Sequence, residues 1–308
     1  MKHWLWFHDY FFPSEVHLHG YSDQIVSLTT EYQKVDILLS PLYGKMVIID
    51  GDVQSAQLDE HLYHEILVLP TLMSHPNPTK IYLAGGGEGA TLREILKCKT
   101  VTSVTKCDID QQAIQLFMDH LPEWHQNSFF DPRVVLRHQD AREDLAQQAD
   151  GGLDVIITDL TEPIDGGPSQ RLFSDEFFKL CYQKLATNGS MCLQASLLRI
   201  TNYEMHGAIL KTIQQTFPIV RSMSVYVPSF DTTWGFIYAS KEIDPLLLEP
   251  STIDERIKMR LNSPTRYYDG NTHRMVFTIS KDLHRLLKDT GSIIKDNKPY
   301  SLKKKSHI

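Results

Sequence analysis

The run AGGGEGATLRE at residues 84–94 holds the most chemically suggestive spacing in the chain. It follows a short apolar segment and opens a helical pattern. Glycines such as Gly85 and Gly87 let a backbone turn tightly and approach a ligand closely. The run departs from the dinucleotide-binding form, because Glu88 stands where that form needs another glycine. A carboxylate facing a pyrophosphate is repulsive. Glu88 therefore disfavours phosphate and suits a cationic group. A sharp turn with a solvent-facing glutamate is the alternative reading.

Acids follow at the ends of the next strand-like runs. Asp108 closes Val101–Cys107, about twenty residues beyond the glycines, where a carboxylate can accept from both ribose hydroxyls. Asp110 comes next in CDID, and strand alternation turns it to the other side. Asp140, followed by Ala141, comes just after Val134–Arg137 and can receive the exocyclic amine of adenine. Capping a helix is the competing role for an acid in that place. Glycine turn, Asp108 and Asp140 together spell an adenosyl pocket with no phosphate site. Asp159 closes Leu153–Thr158, and Glu162 follows in TDLTEPIDGGPSQRLFS, residues 158–174. Two carboxylates on one strand-end loop can hold a cationic amine, and one can take its proton. An ordinary acidic surface loop is the alternative.

Positioning these residues requires a particular scaffold. From Ile81 to Gln194 the chain alternates strand-like runs with helical patterns at Ala90–Leu96, Ile109–Leu121 and Ser174–Leu185. That predicts an α/β fold with a mostly parallel sheet covered by helices on both faces. Ligands in such folds bind outside the carboxyl ends of the strands. Upstream, Ile25–Thr30, Val35–Leu39 and Met46–Ile49 are separated by turn signals and read as a small antiparallel β unit. Asp59–Met73 has helical spacing and ends at HPNP, where proline disfavours continuation. The expected division is an N-terminal β domain at 1–58, a catalytic domain at 59–245 and a C-terminal extension at 246–308. That extension is expected to hold a strand at Met275–Ile279, a helix at Lys281–Lys288 and a polar, disordered tail, KDNKPYSLKKKSHI.

Bulk properties exclude several classes. The 308 residues are 42% hydrophobic and 22% charged, the balance of a globular protein. A net charge of -7 lacks the basic footprint that nucleic acid requires. No stretch approaches the roughly 18 apolar residues of a membrane span. The start, MKHWLWFHDYFF, lacks the apolar run and small-residue cleavage site of a signal peptide. Cys98, Cys107, Cys181 and Cys192 are scattered, which reads as reduced thiols in a cytoplasmic protein. The fourteen histidines form no metal-binding spacing, so no metal is expected.

Taken with YQ at 32–33, LYGKMVIIDGDVQ at 42–54, DEHLYHE at 59–65, HPNP at 75–78 and GGPSQRLF at 166–173, these motifs resemble the spermidine synthase family, the polyamine aminopropyltransferases. The resemblance runs over roughly residues 3 to 240. DLTEP at 159–163 and YVPSFDTTWGF at 226–236 resemble the thermospermine synthase branch in particular. The resemblance implies a Rossmann-like, class I methyltransferase-like fold that forms a dimer or tetramer. It implies decarboxylated S-adenosylmethionine as co-substrate, no tightly bound cofactor and putrescine or spermidine as acceptor. By matching position, Gln33 and Gln54 touch the donor, and Tyr63 and His64 line the junction between donor and acceptor. Glu88 receives the aminopropyl ammonium, Asp108 the ribose, and Asp140 with Ala141 the adenine, beside Pro168. Asp159 is the base and Glu162 binds the acceptor. Two positions depart from the family pattern: Glu162 stands where Asp is usual, and Phe230 where many spermidine synthases carry Tyr. The residues alone also fit an S-adenosylmethionine-dependent methyltransferase, or an adenosyl- or polyamine-binding protein without turnover. Glu88 and the TDLTEP loop weigh against the first, and the presence of Asp159 with Tyr63 against the second.

Overall fold

The computed structural model describes residues 4–12 and 15–302. Strands β1 (Leu5–Phe12) and β2 (Glu15–Tyr21) pair antiparallel as a hairpin that the sequence reading did not anticipate. An antiparallel meander follows: β3 (Asp23–Thr29), β4 (Lys34–Ser40), β5 (Gly44–Ile49) and β6 (Asp52–Ala56). Asp50 and Gly51 close its last hairpin with φ of 51° and 88°. Asp-Gly adopts such a left-handed pair readily, and that pair matches the twist of the strands it joins.

Helix α1 (Glu60–Ser74) leads into the larger layer and is buried along almost its whole length. Seven strands form the central sheet: β7 (Lys80–Gly85), β8 (Ser103–Cys107), β9 (Val134–Arg137), β10 (Leu153–Asp159), β11 (Leu185–Leu197), β12 (Ile219–Val227) and β13 (Thr232–Ser240). Their order is β12-β13-β11-β10-β7-β8-β9, parallel from β9 to β11 with β13 antiparallel to both neighbours. Helices α2 (Ala90–Leu96), α3 (Gln111–His120), α4 (Pro122–His125), α5 (Ala141–Gln147), α6 (Asp175–Lys184) and α7 (Glu204–Ile213) fill the connections. Ile81 and Leu83 face the α1 and α2 side of the core, whereas Tyr82 and Ala84 face the α5, α6 and α7 side. A strand covered on both faces must be apolar throughout, which is why 81–84 reads as an unbroken apolar run.

The chain leaves β7 towards β8 and β9 on one side, and returns through β10 to β11 on the other. The crevice at this reversal lies between β7 and β10, where Gly85 and Asp159 are register partners. The glycine run and the Asp159 loop therefore open into one place.

Helices α8 (Pro250–Arg260), α9 (Gly270–Val276) and α10 (Lys281–Asp289) complete the described chain. Two expectations fail here. Met275 and Val276 end a helix rather than begin a strand. Asp269 starts that helix by accepting from the Thr272 amide at 2.7 Å, and His273 and Val276 share its buried side. Lys295–Leu302, expected as disordered tail, is docked on the body, with Leu302 bridged to Ile164. Polar composition concealed this because a few residues anchor the segment. Lys303–Lys305 lie outside the described residues. All four cysteines are buried and unpaired. Among the described residues, no helix is long and apolar enough to cross a membrane.

Candidate active site

The glycine run is forced by the approach of two strand ends. Gly85, Gly86 and Gly89 take φ of 79°, 70° and 84°. The Gly86 amide donates to the Asp159 carbonyl at 2.8 Å, and a Cβ on Gly85 would lie 2.1 Å from that oxygen. No side chain fits there, so the turn is built to bring Glu88 over the end of β10.

Asp159 sits at the floor of the crevice. Its Oδ1 accepts the Tyr63 hydroxyl at 2.8 Å, and its Oδ2 accepts the Thr91 hydroxyl. Burial and the nearby Glu88 charge push its carboxyl above the usual range, against opposing effects of His64 and the two hydroxyls. Burial, with the Asp159 charge, drives the Tyr63 hydroxyl well above its usual value. Tyr63 therefore keeps its proton and donates it to Asp159.

Behind Glu88 runs a buried chain of charges. His64 Nε2 meets Glu88 at 2.7 Å, and Nδ1 meets Glu60 Oε2 at 2.9 Å. Arg93 donates to the same Glu60 oxygen at 2.8 Å. Burial opposes the charge on His64, but its two carboxylate partners outweigh that and raise it to about 10. For Glu60, burial is likewise overcome by His64 and Arg93, which lower it to about 2. Glu88 is also lowered, by His64 and Lys106 against burial.

His64, Glu88 and Asp159 offer three ligand atoms within 4.8 Å of one another. A metal-binding histidine must present a neutral ring nitrogen. His64 is an imidazolium with both nitrogens committed to carboxylates, so the cluster does not fit a metal ion. Glu88 and Asp159 suit an organic cation instead.

Apart from His64, every residue singled out from the sequence lines one cleft: Gln33, Gln54, Tyr63, Gly85, Gly87, Glu88, Asp108, Asp140, Ala141, Asp159, Glu162, Pro168 and Phe230. The space between these residues, open mouth included, is about 1110 Å³. His64 was expected at the junction of two substrates, but it is 2% exposed and stands behind Glu88. Successive helical residues point about 100° apart, so with Tyr63 facing the cleft, His64 faces the core.

Asp110, expected to turn to the other side, lines the same cleft as Asp108; it accepts from Gln33 at 3.0 Å and from Thr30 at 2.6 Å, and it caps α3 through the Ala113 amide. It thus ties the N-terminal sheet to the cleft. Asp140 caps α5 through Oδ1, so the helix-capping alternative holds alongside its place in the cleft wall. Buried Lys106 donates to the Gly85 carbonyl at 2.8 Å and stands 3.6 Å from Asp108. Glu162 accepts the hydroxyl of Ser196, a buried residue at φ 62° within a register shift of β11. Phe230 packs edge-on to Tyr63 and Trp234. Thr91, Glu60, Arg93, Lys106, Ser196 and Trp234 were missed as site residues. Glu60, Thr91, Arg93 and Trp234 lie inside the motifs quoted above, but nothing in their spacing reveals these contacts.

Strand order and an acid-lined cleft at the sheet reversal define a methyltransferase-like α/β fold. The spermine/spermidine synthase domain family matches residues 60–247, and the spermidine synthase tetramerisation domain family matches 27–57. A polyamine aminopropyltransferase of Sulfurisphaera tokodaii is 37% identical over 98% of this chain and 99% of its own. One from Sulfolobus acidocaldarius is 39% identical over 91% and 92%. A crystal structure of spermidine synthase in complex with the transition-state analogue AdoDATO superposes with a TM-score of 0.86 at 27% identity, covering 92% of this chain and 95% of that one. The chain belongs to the spermine/spermidine synthase family. Aminopropyl transfer is the activity that this membership brings.

Proposed function

We propose that the cleft binds decarboxylated S-adenosylmethionine and moves its aminopropyl group onto a polyamine, with Asp159 as the base. The observation that carries this reading is the buried Asp159, held by Tyr63 and Thr91 beside Glu88. A polyamine nitrogen attacks the methylene next to the sulfonium, the carbon–sulfur bond breaks, and methylthioadenosine leaves as a neutral thioether. The attacking amine passes its proton to Asp159. An alkylammonium with pKa near 10.4 needs about 5 kcal/mol to lose that proton at neutral pH. A carboxylate raised by burial is a better partner for the proton than an exposed one. Tyr63 orients Asp159 by donating to it.

Glu88 takes the donor's ammonium and repels a donor that keeps its carboxylate. Asp108 holds the ribose, and Gln33 and Gln54 touch the donor. Asp140, through the oxygen not used in capping, receives the adenine amine, with Ala141 and Pro168 against the ring. Glu162 holds the acceptor. Its longer side chain is met by Ser196, and Phe230 offers an aromatic wall with no hydroxyl, which favours spermidine over putrescine. The buried, unpaired cysteines suit a reducing compartment such as the cytoplasm.

The test is a product assay with both donors and with putrescine, spermidine and agmatine in competition. Aminopropylated spermidine from the decarboxylated donor alone is expected. Methyl transfer from intact donor would overturn the reaction, and exclusive use of putrescine would overturn the acceptor.

Oligomerisation belongs to the same reading. The outer face of the β1–β2 hairpin carries Trp6, Tyr10, Val16 and Leu18, exposed at 56%, 38%, 43% and 54%. An apolar sheet face of this kind is what a second copy would cover. Light scattering at micromolar concentration should give a dimer or tetramer, and a monomer would refute the assignment.

A further inference from the structure

The loop from Leu160 to Ser174 carries Glu162, Pro168 and Leu172 into the cleft, yet its middle has few ties to the body. Between Pro163 and Ser169, the backbone hydrogen bonds reaching another part of the described chain all go to Leu302. The Leu302 amide donates to Pro163 at 2.9 Å, and the Asp165 amide donates to Leu302 at 3.3 Å. Leu302 belongs to a segment that is itself firmly seated. Ile294 is 1% exposed in the core beside α6 and α7, its amide donating to Thr212 at 2.9 Å and its carbonyl accepting from Asp175 at 2.9 Å.

Between these anchors stands Asp296. Arg142 grips it with two bonds of 2.8 Å, Ser174 donates at 2.7 Å and Arg171 at 3.5 Å. Arg142 follows the cleft-lining Ala141 on α5, and it also donates to the Arg171 carbonyl at 3.3 Å. Arg171 and Ser174 close the loop itself. One carboxylate thus joins α5 to the loop, through the bidentate geometry that makes arginine pairs directional.

We propose that Gly291–Leu302 is a positioning strap for the cleft, with Asp296 fixing the loop that carries Glu162 and Pro168 against α5 at Arg142. The strap touches neither substrate and acts through the width and order of the cleft. It rests on the transferase reading above for what the cleft holds. Without the clamp, the loop must be ordered at each binding event, so apparent affinity falls while the reacting groups stay in place.

The experiment compares wild type, Asp296→Ala, Asp296→Arg, Arg142→Asp and the Asp296→Arg/Arg142→Asp double variant. Steady-state kinetics, methylthioadenosine affinity and backbone amide exchange are measured on the full chain. Expected is a rise of roughly tenfold in KM for donor and acceptor in the single variants, with kcat within about twofold. Amide exchange should quicken at 160–174 and not in the central strands, and the charge-exchanged double variant should recover much of the lost affinity. Unchanged KM in Asp296→Ala overturns the proposal. So does a fall in kcat with faster exchange throughout, which marks a merely structural role. If wild type neither binds methylthioadenosine nor transfers aminopropyl groups, the functional reading fails. The exchange at 160–174 would still decide whether the strap orders the loop.

Discussion

Asp159→Asn should lower kcat by about 10² to 10⁴, the range typical of a lost general base, and should leave methylthioadenosine binding nearly intact. Asparagine keeps one oxygen to accept from Tyr63, and its amide nitrogen can donate to the Thr91 hydroxyl oxygen, so both contacts can persist while the proton acceptor is gone. The pH profile gives a second reading. Wild-type rate should fall as pH drops through the raised pKa of Asp159, because the protonated carboxyl cannot take the amine's proton. That acid limb should be missing in the variant. Stability should move the other way. A carboxyl whose folded pKa is raised favours folding when protonated, and this contribution is lost as pH rises through the folded value. Above that value the ionised Asp159 therefore costs stability, and there the Asn protein should melt no lower than wild type. Near-normal turnover would sink the assignment. A lower melting point would point to a folding defect instead.

Glu88→Gln should cost about 10² to 10³ in kcat/KM for decarboxylated donor, as expected when one partner of a buried charge pair is removed. The more telling change is in discrimination. With the carboxylate gone, intact S-adenosylmethionine is no longer repelled, so its binding should strengthen relative to the decarboxylated form. His64 loses one of the two partners that hold it near 10, so its pKa should also fall. Calorimetric titration with both donors, and NMR titration of His64, would check these outcomes. An unchanged donor preference would remove Glu88 from its role.

Much of this was legible in the chain because the cleft is assembled at strand ends. Asp108, Asp140 and Asp159 sit at or just beyond strand ends, and parallel strands bring all such ends to one edge of the sheet. Contacts set by packing left no such trace. Ser196 meets Glu162 from 34 residues away, within a register shift of β11 that no periodicity announces. The helix direction of His64 was readable in principle, since Tyr63 and His64 cannot face the same way, but matching by position put both in the cleft. Met275–Val276–Phe277 is a short apolar run, the kind that strand and helix share equally. Asp269, six residues earlier, decides it by capping. The segment from Lys295 looked unstructured because composition averages over it, whereas Asp296, Tyr300 and Leu302 seat it.

The Glu60–His64–Glu88 chain also makes folding a proton-uptake reaction. An unfolded histidine releases its proton near pH 6.5, while the native chain holds it until about 10. The resulting stabilisation is fully present below the lower value and is lost as pH rises through the upper one. Alkaline solution therefore attacks this protein from behind Glu88, at a buried group that lies outside the cleft lining.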